Sequence, residues 1–335
     1  MSNIELGIST AEAVELMNFT DSQVLSLITR AEKTRQKYRG NEVVTCSIVN
    51  AKSGNCSENC TFCPQSLNSA SDIDTYDLKK TDEIIEKAQS AADKYAHSFG
   101  IVTSGRLVES QEDKEVILES VKGIAEGTSA SSCGSFGIIE KEFLQELKDN
   151  GLTGLHHNLE TARSYYHNIC TTRTYDDNIR TIKAAKEVGL SICSGGIFGM
   201  GETNEQRVEF IEQIRELDVD SFPVNFFNPI EGTPLGDSDL EDLTPLECLK
   251  IIAISRLMMP KTQIRICGGR ERNMREMQSW MFAAGADALM IGSYLTTTGR
   301  DVEADMQMIK DAGLTLAKNG SCGSGGCGSG DCEND

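Results

Sequence analysis

The sequence predicts one (β/α)8 barrel of the TIM type, in the α/β class, with an N-terminal helical extension and a Cys/Gly-rich C-terminal tail. Three observations carry that expectation. Eight short runs of β-branched and small residues recur along the chain, each followed by a stretch of helical period. Alternation of the two kinds implies parallel strands joined by helical crossovers. The length, 335 residues, suits one such barrel with modest extensions. An open, doubly wound sheet shows the same alternation and is the rival.

Residues 1–40 read as a helical preface, with "ISTAEAVELMN" capped at Ser9 or Thr10. Residues 41–318 form the barrel. Its first strand is "VVTCSIV" (43–49), and a helix near 81–94 opens on Thr81, Asp82 and Glu83, residues suited to a helix start. Next come "HSFGIVT" (97–103) with a helix near 112–125, and "TSASSCG" (128–134) with one near 139–149. The fourth unit is "GLHHNLE" (154–160) with a helix near 175–188. The fifth is "LSICSGG" (190–196) with 203–217, capped by Thr203. "SFPVNFF" (221–227) precedes 244–258, where Thr244 caps and Pro245 takes the first helical position. "TQIRICG" (262–268) precedes 271–284, and "DALMIGS" (287–293) precedes 301–317. The tail, "NGSCGSGGCGSGDCEND" (319–335), is Gly/Ser-rich with almost no apolar residues and cannot add to a core.

Composition narrows the function classes. A formal charge of −19 repels phosphate backbones and anionic lipid, so nucleic-acid and membrane partners are disfavoured. No apolar run is long enough to span a bilayer. The start, "MSNIELGIST", has no basic region followed by an apolar stretch, so the chain reads as cytoplasmic. Twelve cysteines in such a chain point to metal or redox chemistry rather than a disulfide scaffold.

"CSENCTFC" (56–63) sets Cys56, Cys60 and Cys63 at C-x3-C-x2-C on the loop after the first strand. In a barrel, loops at that end build the active face. Metal clusters and structural zinc usually take four protein ligands. Three thiolates on one loop can hold three irons of a cubane and leave the fourth open to a small chelating molecule. A zinc knuckle with a distant fourth ligand is the bland alternative, although zinc loops more often use C-x2-C pairs.

This spacing resembles the hallmark of the radical S-adenosylmethionine (SAM) superfamily. Further motifs follow in order: "HHNLET" (156–161), "TTRTYDDNIRTI" (171–182), "CSGGIFGMGET" (193–203), "FPVNFFNPIEGTPL" (222–235) and "RLMMPKTQIRICGGRE" (256–271). Together they closely resemble the biotin synthase family from about residue 10 to 317. The resemblance implies a radical SAM sulfurtransferase that inserts sulfur into dethiobiotin. It implies a 4Fe-4S cluster on Cys56, Cys60 and Cys63, with SAM on the open iron and Phe62 beside the adenine. Thr103 and Ser104 are implied near the SAM amino group, and Asn158 and Glu160 near the ribose and substrate. Gly195, Gly196 and Glu202 match the SAM-supporting turn, with Ile197 and Met200 bordering the adenine. Asn225 matches an asparagine that binds the dethiobiotin ureido ring. Where the family commonly has an arginine for the SAM carboxylate this chain has Asn178, leaving Arg173 or Arg180 as substitutes. Other members of the same barrel group, methylornithine synthase-like or hydrogenase-maturation-like, are the runner-up, and a non-catalytic iron–sulfur carrier or scaffold is the reading from another class.

The resemblance also implies an auxiliary iron–sulfur cluster as sulfur source, ordinarily 2Fe-2S on three cysteines and an arginine. Cys133, Cys193 and Arg265 match that set, but Ser98 stands where the remaining cysteine is expected. Cys46 and Cys267 are additional. With Cys133 and Cys193 they fall on the first, third, fifth and seventh expected strands, and alternate strands supply one layer of a barrel interior. Arg265 and Cys267, two apart, share a strand face. Four thiolates suit a four-iron cluster better than a two-iron one, as in variant biotin synthases associated with anaerobes. Single buried cysteines are the bland alternative. Cys170 and Cys248 read as structural, and His156, His157 and His167 as packing residues. Cys322, Cys327 and Cys332, at C-x4-C-x4-C, read as an arm for loading the cluster, with a zinc site or a plain tail as alternatives. The resemblance further implies a reducing flavodoxin or ferredoxin-like electron donor, iron–sulfur assembly proteins as partners, and a homodimer.

Overall fold

The structure, a computed structural model, describes residues 2–318. Its strands are β1 (Glu42–Lys52), β2 (Ser98–Thr103), β3 (Ser131–Ser135), β4 (Gly154–His156), β5 (Ser191–Cys193), β6 (Gly196–Phe198), β7 (Ser221–Phe226), β8 (Gln263–Ile266), β9 (Ala288–Met290) and β10 (Thr315–Leu316). All pairings between them are parallel. They run β1-β2-β3-β4-β5-β7-β8-β9, and β9 pairs back to β1. That closure makes a barrel and rules out the open sheet. β6 continues β5, and both pair with β7, so the two segments form one fifth stave.

Helices α1 (Asn3–Leu6), α2 (Thr10–Met17) and α3 (Asp21–Arg39) form the N-terminal extension. The crossovers are α4 (Thr81–Asp93), α5 (Gln111–Gly127), α6 (Lys141–Asp149), α7 (Tyr175–Glu187), α8 (Asn204–Leu217) and α9 (Pro245–Met258). After β8 come α10 (Arg270–Met274) and α11 (Trp280–Ala283), and α12 (Val302–Asp311) follows β9. Ser9 caps α2, Thr203 caps α8, and Thr244 caps α9 with Pro245 in its first turn. Among the described residues no helix is long and apolar enough to cross a membrane.

Four expectations about elements need correction. The cap of α4 is Lys80, with Thr81 already inside the helix. The stretch 271–284 is α10, one 3-10 turn and α11 rather than one helix, because Arg275 takes φ +49°. The last helix stops at Asp311, and Gly313 at φ +72° turns the chain. Beyond it Thr315 and Leu316 pair with Glu42 and Val43, adding β10 where helix was expected.

The fifth strand breaks at Ser194 and Gly195 for a local reason. The Asn158 side-chain oxygen accepts from Gly195 N at 3.1 Å. Gly195 O in turn accepts from both Leu159 N and Glu160 N. A side chain and a folded-back loop thus take the groups a regular ladder would use. The same exchange ends β4 at His156 and leaves Glu160 at φ +71°.

Candidate active site and metal centre

The inward positions of the staves and the loops at their C-terminal ends, here called upper, line one cavity of about 1160 Å³. The cysteine loop folds over its top. Cys63 N donates to Cys60 O at 3.1 Å, and Cys56 N to Gln65 O at 3.0 Å. Thr61 N donates to Ile169 O at 2.9 Å, tying the loop to the segment after β4. Cys56, Cys60 and Cys63 all face the cavity, as does Phe62. Burial pushes the Cys63 thiol up to about 11. A thiol held neutral this way waits for a cation to replace its proton. Among the described residues no three His, Cys, Asp or Glu side chains are spaced to hold one metal ion.

Cys170, read as structural from sequence, lies beside this loop. A hydrogen bond with Cys170, then burial, holds the Cys60 proton well above the thiol range. Cys170 Sγ is also 3.8 Å from Glu58 Oε2 and 3.6 Å from Thr172 Oγ1. No sequence signal announces this contact, since Cys170 lies far along the chain from Cys60.

Around the upper cavity, Thr103 Oγ1 is buried and has no hydrogen-bond partner among the described residues. Ser104 Oγ donates to Gly54 O at 2.7 Å. Asn158 Nδ2 donates to Glu160 Oε2 at 3.3 Å. Burial raises the Glu160 pKa, with Arg173 opposing. Arg173 lines the cavity and its Nε donates to Tyr166 Oη at 3.3 Å. Arg180 does not line it; its guanidinium is exposed and paired with Asp177. Asn178 is fully buried outside it, bonded to His157 and Tyr166.

Ile197 faces the cavity, while Met200 and Glu202 lie behind its wall. There the Glu202 carboxylate accepts from Gly199 N and Met200 N, both at 2.8 Å, and fixes the turn after β6. Gly195 and Gly196 allow close approach: a Cβ on Gly196 would lie 2.2 Å from Glu160 O, and one on Gly195 2.0 Å from Pro223 O. Asn225 lines the cavity, donates to Gly196 O at 3.1 Å and accepts from Gly268 N at 3.0 Å. Its amide keeps one N–H and one lone pair for a ligand.

Deeper in the lumen Cys46, Cys133, Cys193 and Cys267 line the same cavity. Cys46 is in register with Ser98, on the neighbouring stave. Arg265 sits among the four: burial works against its charge, while the nearby Cys46, Cys193, Cys267 and Cys133 shift its pKa upward. Burial raises the Cys46, Cys193 and Cys267 thiols, with Arg265 pulling each down. Arg265 Nη2 donates to Gln263 Oε1 at 2.5 Å, while its buried Nε has no partner among the described residues. A Cβ at Gly154 would come within 3.2 Å of Cys133 Sγ, so glycine leaves that thiol its space. His156 Nδ1 is 3.4 Å from Cys193 Sγ. Cys248 is buried in α9, away from the cavity. Cys322, Cys327 and Cys332 lie outside the described residues.

Two family models match: the radical SAM superfamily over residues 51–214, and the biotin and thiamin synthesis associated domain over 223–315. The biotin synthase of Geobacter sulfurreducens is 49% identical over 305 residues, covering 91% of this chain and 92% of that protein. That of Geobacter metallireducens is 46% identical, covering 94% of each. The chain belongs to the biotin synthase family. It is therefore a radical SAM enzyme, and biotin synthase membership implies a 4Fe-4S cluster and SAM as its cofactors. Among solved structures, a methylornithine synthase matches with TM-score 0.79 at 22% identity, covering 95% of this chain and 96% of that one. An FeFe-hydrogenase maturase from Carboxydothermus hydrogenoformans matches with TM-score 0.78 at 15% identity, covering 92% and 75%. At those identities the likeness is of fold alone, and the biotin synthase relatives decide against both runner-up readings.

Proposed function

We propose that this chain inserts sulfur between a methyl and a methylene carbon of dethiobiotin, using SAM at the top of the lumen and an auxiliary iron–sulfur site in its middle. The observation that carries this reading is Arg265 held among four inward thiols, in the same cavity as the C-x3-C-x2-C loop. A single cavity lets one substrate meet both centres.

The target C–H bonds are too strong and too weakly acidic for side-chain acid–base chemistry, so a cofactor must act on them. When bound, the 4Fe-4S cluster and SAM supply a carbon-centred radical by reductive cleavage of the sulfonium. Cys56, Cys60 and Cys63 are assigned to three irons. Thr103, with its unpartnered hydroxyl, and Ser104 are assigned to the SAM amino group. Arg173 is preferred over Arg180 for the carboxylate because it alone of the two lines the cavity. Asn158 and Glu160 are assigned to the ribose and substrate, Phe62 and Ile197 to the adenine. Gly195, Gly196, Met200 and Glu202 support that wall from behind. Asn225 would orient the ureido ring through its remaining donor and acceptor.

Cys46, Cys133, Cys193 and Cys267 are assigned to the auxiliary cluster, with Arg265 beside it; four thiols favour a four-iron cluster over 2Fe-2S. That cluster supplies the inserted sulfur. The residues fit an anionic guest: the orphaned Arg265 Nε and the room left by Gly154 both point to one. The tail cysteines Cys322, Cys327 and Cys332 are assigned to cluster loading, served by iron–sulfur assembly proteins. A flavodoxin or ferredoxin-like protein would bring electrons, and the working form would be a homodimer. Residues 1–40, 41–318 and 319–335 would act as extension, barrel and arm.

The test is anaerobic incubation of reconstituted protein with SAM, reductant and dethiobiotin. Formation of 5′-deoxyadenosine and biotin that depends on dethiobiotin is expected; uncoupled or absent cleavage defeats the reading. Cys46→Ala and Cys267→Ala should each lose iron beyond that held by Cys56, Cys60 and Cys63, measured by iron and sulfide content.

A further inference from the structure

Below the cysteines the barrel is hollow and hydroxyl-lined. TIM-type interiors are ordinarily filled by bulky branched side chains. Here the inward positions toward the lower, N-terminal strand ends are Ser98, Ser131, Gly154, Ser191, Ser221 and Gln263. Ser131, Ser191 and Gln263 each stand two residues before Cys133, Cys193 and Arg265, on the same face of the strand. They are joined in register, Ser98 to Ser131, Gly154 to Ser191, and Ser221 to Gln263. The cavity continues past them to a lower rim where Thr153, Asp218, Asp220 and Lys261 are exposed to solvent, and where Asn3 of α1, bonded to Thr262 and to Lys261 N, covers one side. It therefore has two mouths, one under the cysteine loop and one at the opposite end.

A second observation points to what passes. Arg265 is only 9% exposed, yet its Nε has no partner among the described residues, and its Nη2 is held by Gln263 of the hydroxyl layer. A buried cation with an unpaired N–H at the inner end of a hydroxyl-lined wall attracts a small anion. That wall is too sparsely apolar to suit an organic substrate.

We propose that the lower mouth is a port through which inorganic hydrosulfide reaches the cysteine layer while SAM and substrate occupy the upper mouth. The port rests on the auxiliary-site reading, since a site that surrenders sulfur to product must be refilled. Entry from below lets refilling proceed without emptying the substrate mouth. The passage involves no redox change: hydrosulfide enters as the anion, is received by Arg265, and exchanges one for one with a sulfide that leaves as hydrosulfide by the same route. β10 pairs with the first residues of β1, and Ala317 packs against Val44 and Ala288.

The full-length reconstituted protein, without reductant, is given radiolabelled hydrosulfide with and without saturating SAM and dethiobiotin. The readout is label entering the acid-labile sulfide pool. Wild-type uptake should persist when the upper mouth is filled. Ser191→Leu and Ser131→Leu, which set a bulky apolar side chain on this hydroxyl-lined wall, should slow uptake at least about fivefold, and Ser191→Ala should not. Complete blockage of wild-type uptake by SAM and dethiobiotin overturns the port, as does unchanged uptake in both leucine variants. Should those variants lose iron, the wild-type comparison decides by itself. Failure of the parent reading shows separately, as SAM cleavage indifferent to dethiobiotin.

Discussion

At the residue scale, the sharpest contrasts are between groups that look alike in sequence. Arg173 and Arg180 both lie in the "TTRTYDDNIRTI" stretch (171–182), but one faces the cavity and the other pairs with Asp177 in solvent. Arg173→Ala should therefore weaken SAM binding while Arg180→Ala leaves it alone, measured by equilibrium binding to the anaerobic holoprotein. Thr103→Val removes one unpartnered hydroxyl and should weaken SAM binding by roughly three- to tenfold, the worth of one hydrogen bond. His157 makes a pH prediction. Burial, with help from Arg173, holds its pKa down to about 3, and its Nε2 donates to Asn178 Oδ1 at 3.1 Å. Its folded pKa lies below its unfolded value, so its contribution is whole above that value and is lost as pH falls. Stability should decline by as much as about 1.4 kcal/mol per unit between the unfolded value and about 3 on this account. His157→Gln should flatten that decline in urea titrations across the acid range.

At the scale of elements, the upper ends of the fourth and fifth staves matter most. Alternation there suggests two full strands, yet Asn158 diverts Gly195 N and the chain folds back through Glu160. The irregular backbone is what lets Asn158, Glu160 and Ile197 share one wall. A methyl group at Gly196 would meet backbone oxygen, which cannot swing aside as a side chain can. Gly196→Ala should lower stability by about 1–3 kcal/mol and disturb SAM binding, read by denaturation and by binding. Periodicity could not foresee the break, because it comes from a side-chain amide out-competing the ladder rather than from residues averse to strands.

Across the whole molecule, barrel closure is secured from outside by Arg256. This arginine, fully buried on α9, bonds Asp287 at 2.6 Å and donates to the carbonyls of Gly285, Met259, Pro260 and Thr262. Asp287 also accepts from Ile264 N, so one carboxylate joins α9, β8 and the turn before β9. Asp287→Ala strands a buried guanidinium and should cost about 3–5 kcal/mol, seen as a lower urea midpoint with unchanged denaturant slope. Removing both partners by Arg256→Met with Asp287→Leu should not recover that loss, because the four carbonyls, Ile264 N and Arg39 would lose their partners as well.

Local chemistry by itself determined the eight staves, the helix starts at Ser9, Thr203 and Thr244, the C-x3-C-x2-C loop and the family. Such features depend on residues a few positions apart, where period, capping and spacing act directly. Tertiary structure alone decided that Cys60 meets Cys170, that Arg173 rather than Arg180 faces the lumen, and that serines line the barrel below the cysteine layer. Those are contacts across staves, and their partners are chosen by the stagger of a closed sheet, which sums over every strand at once and leaves no trace in any short stretch of chain.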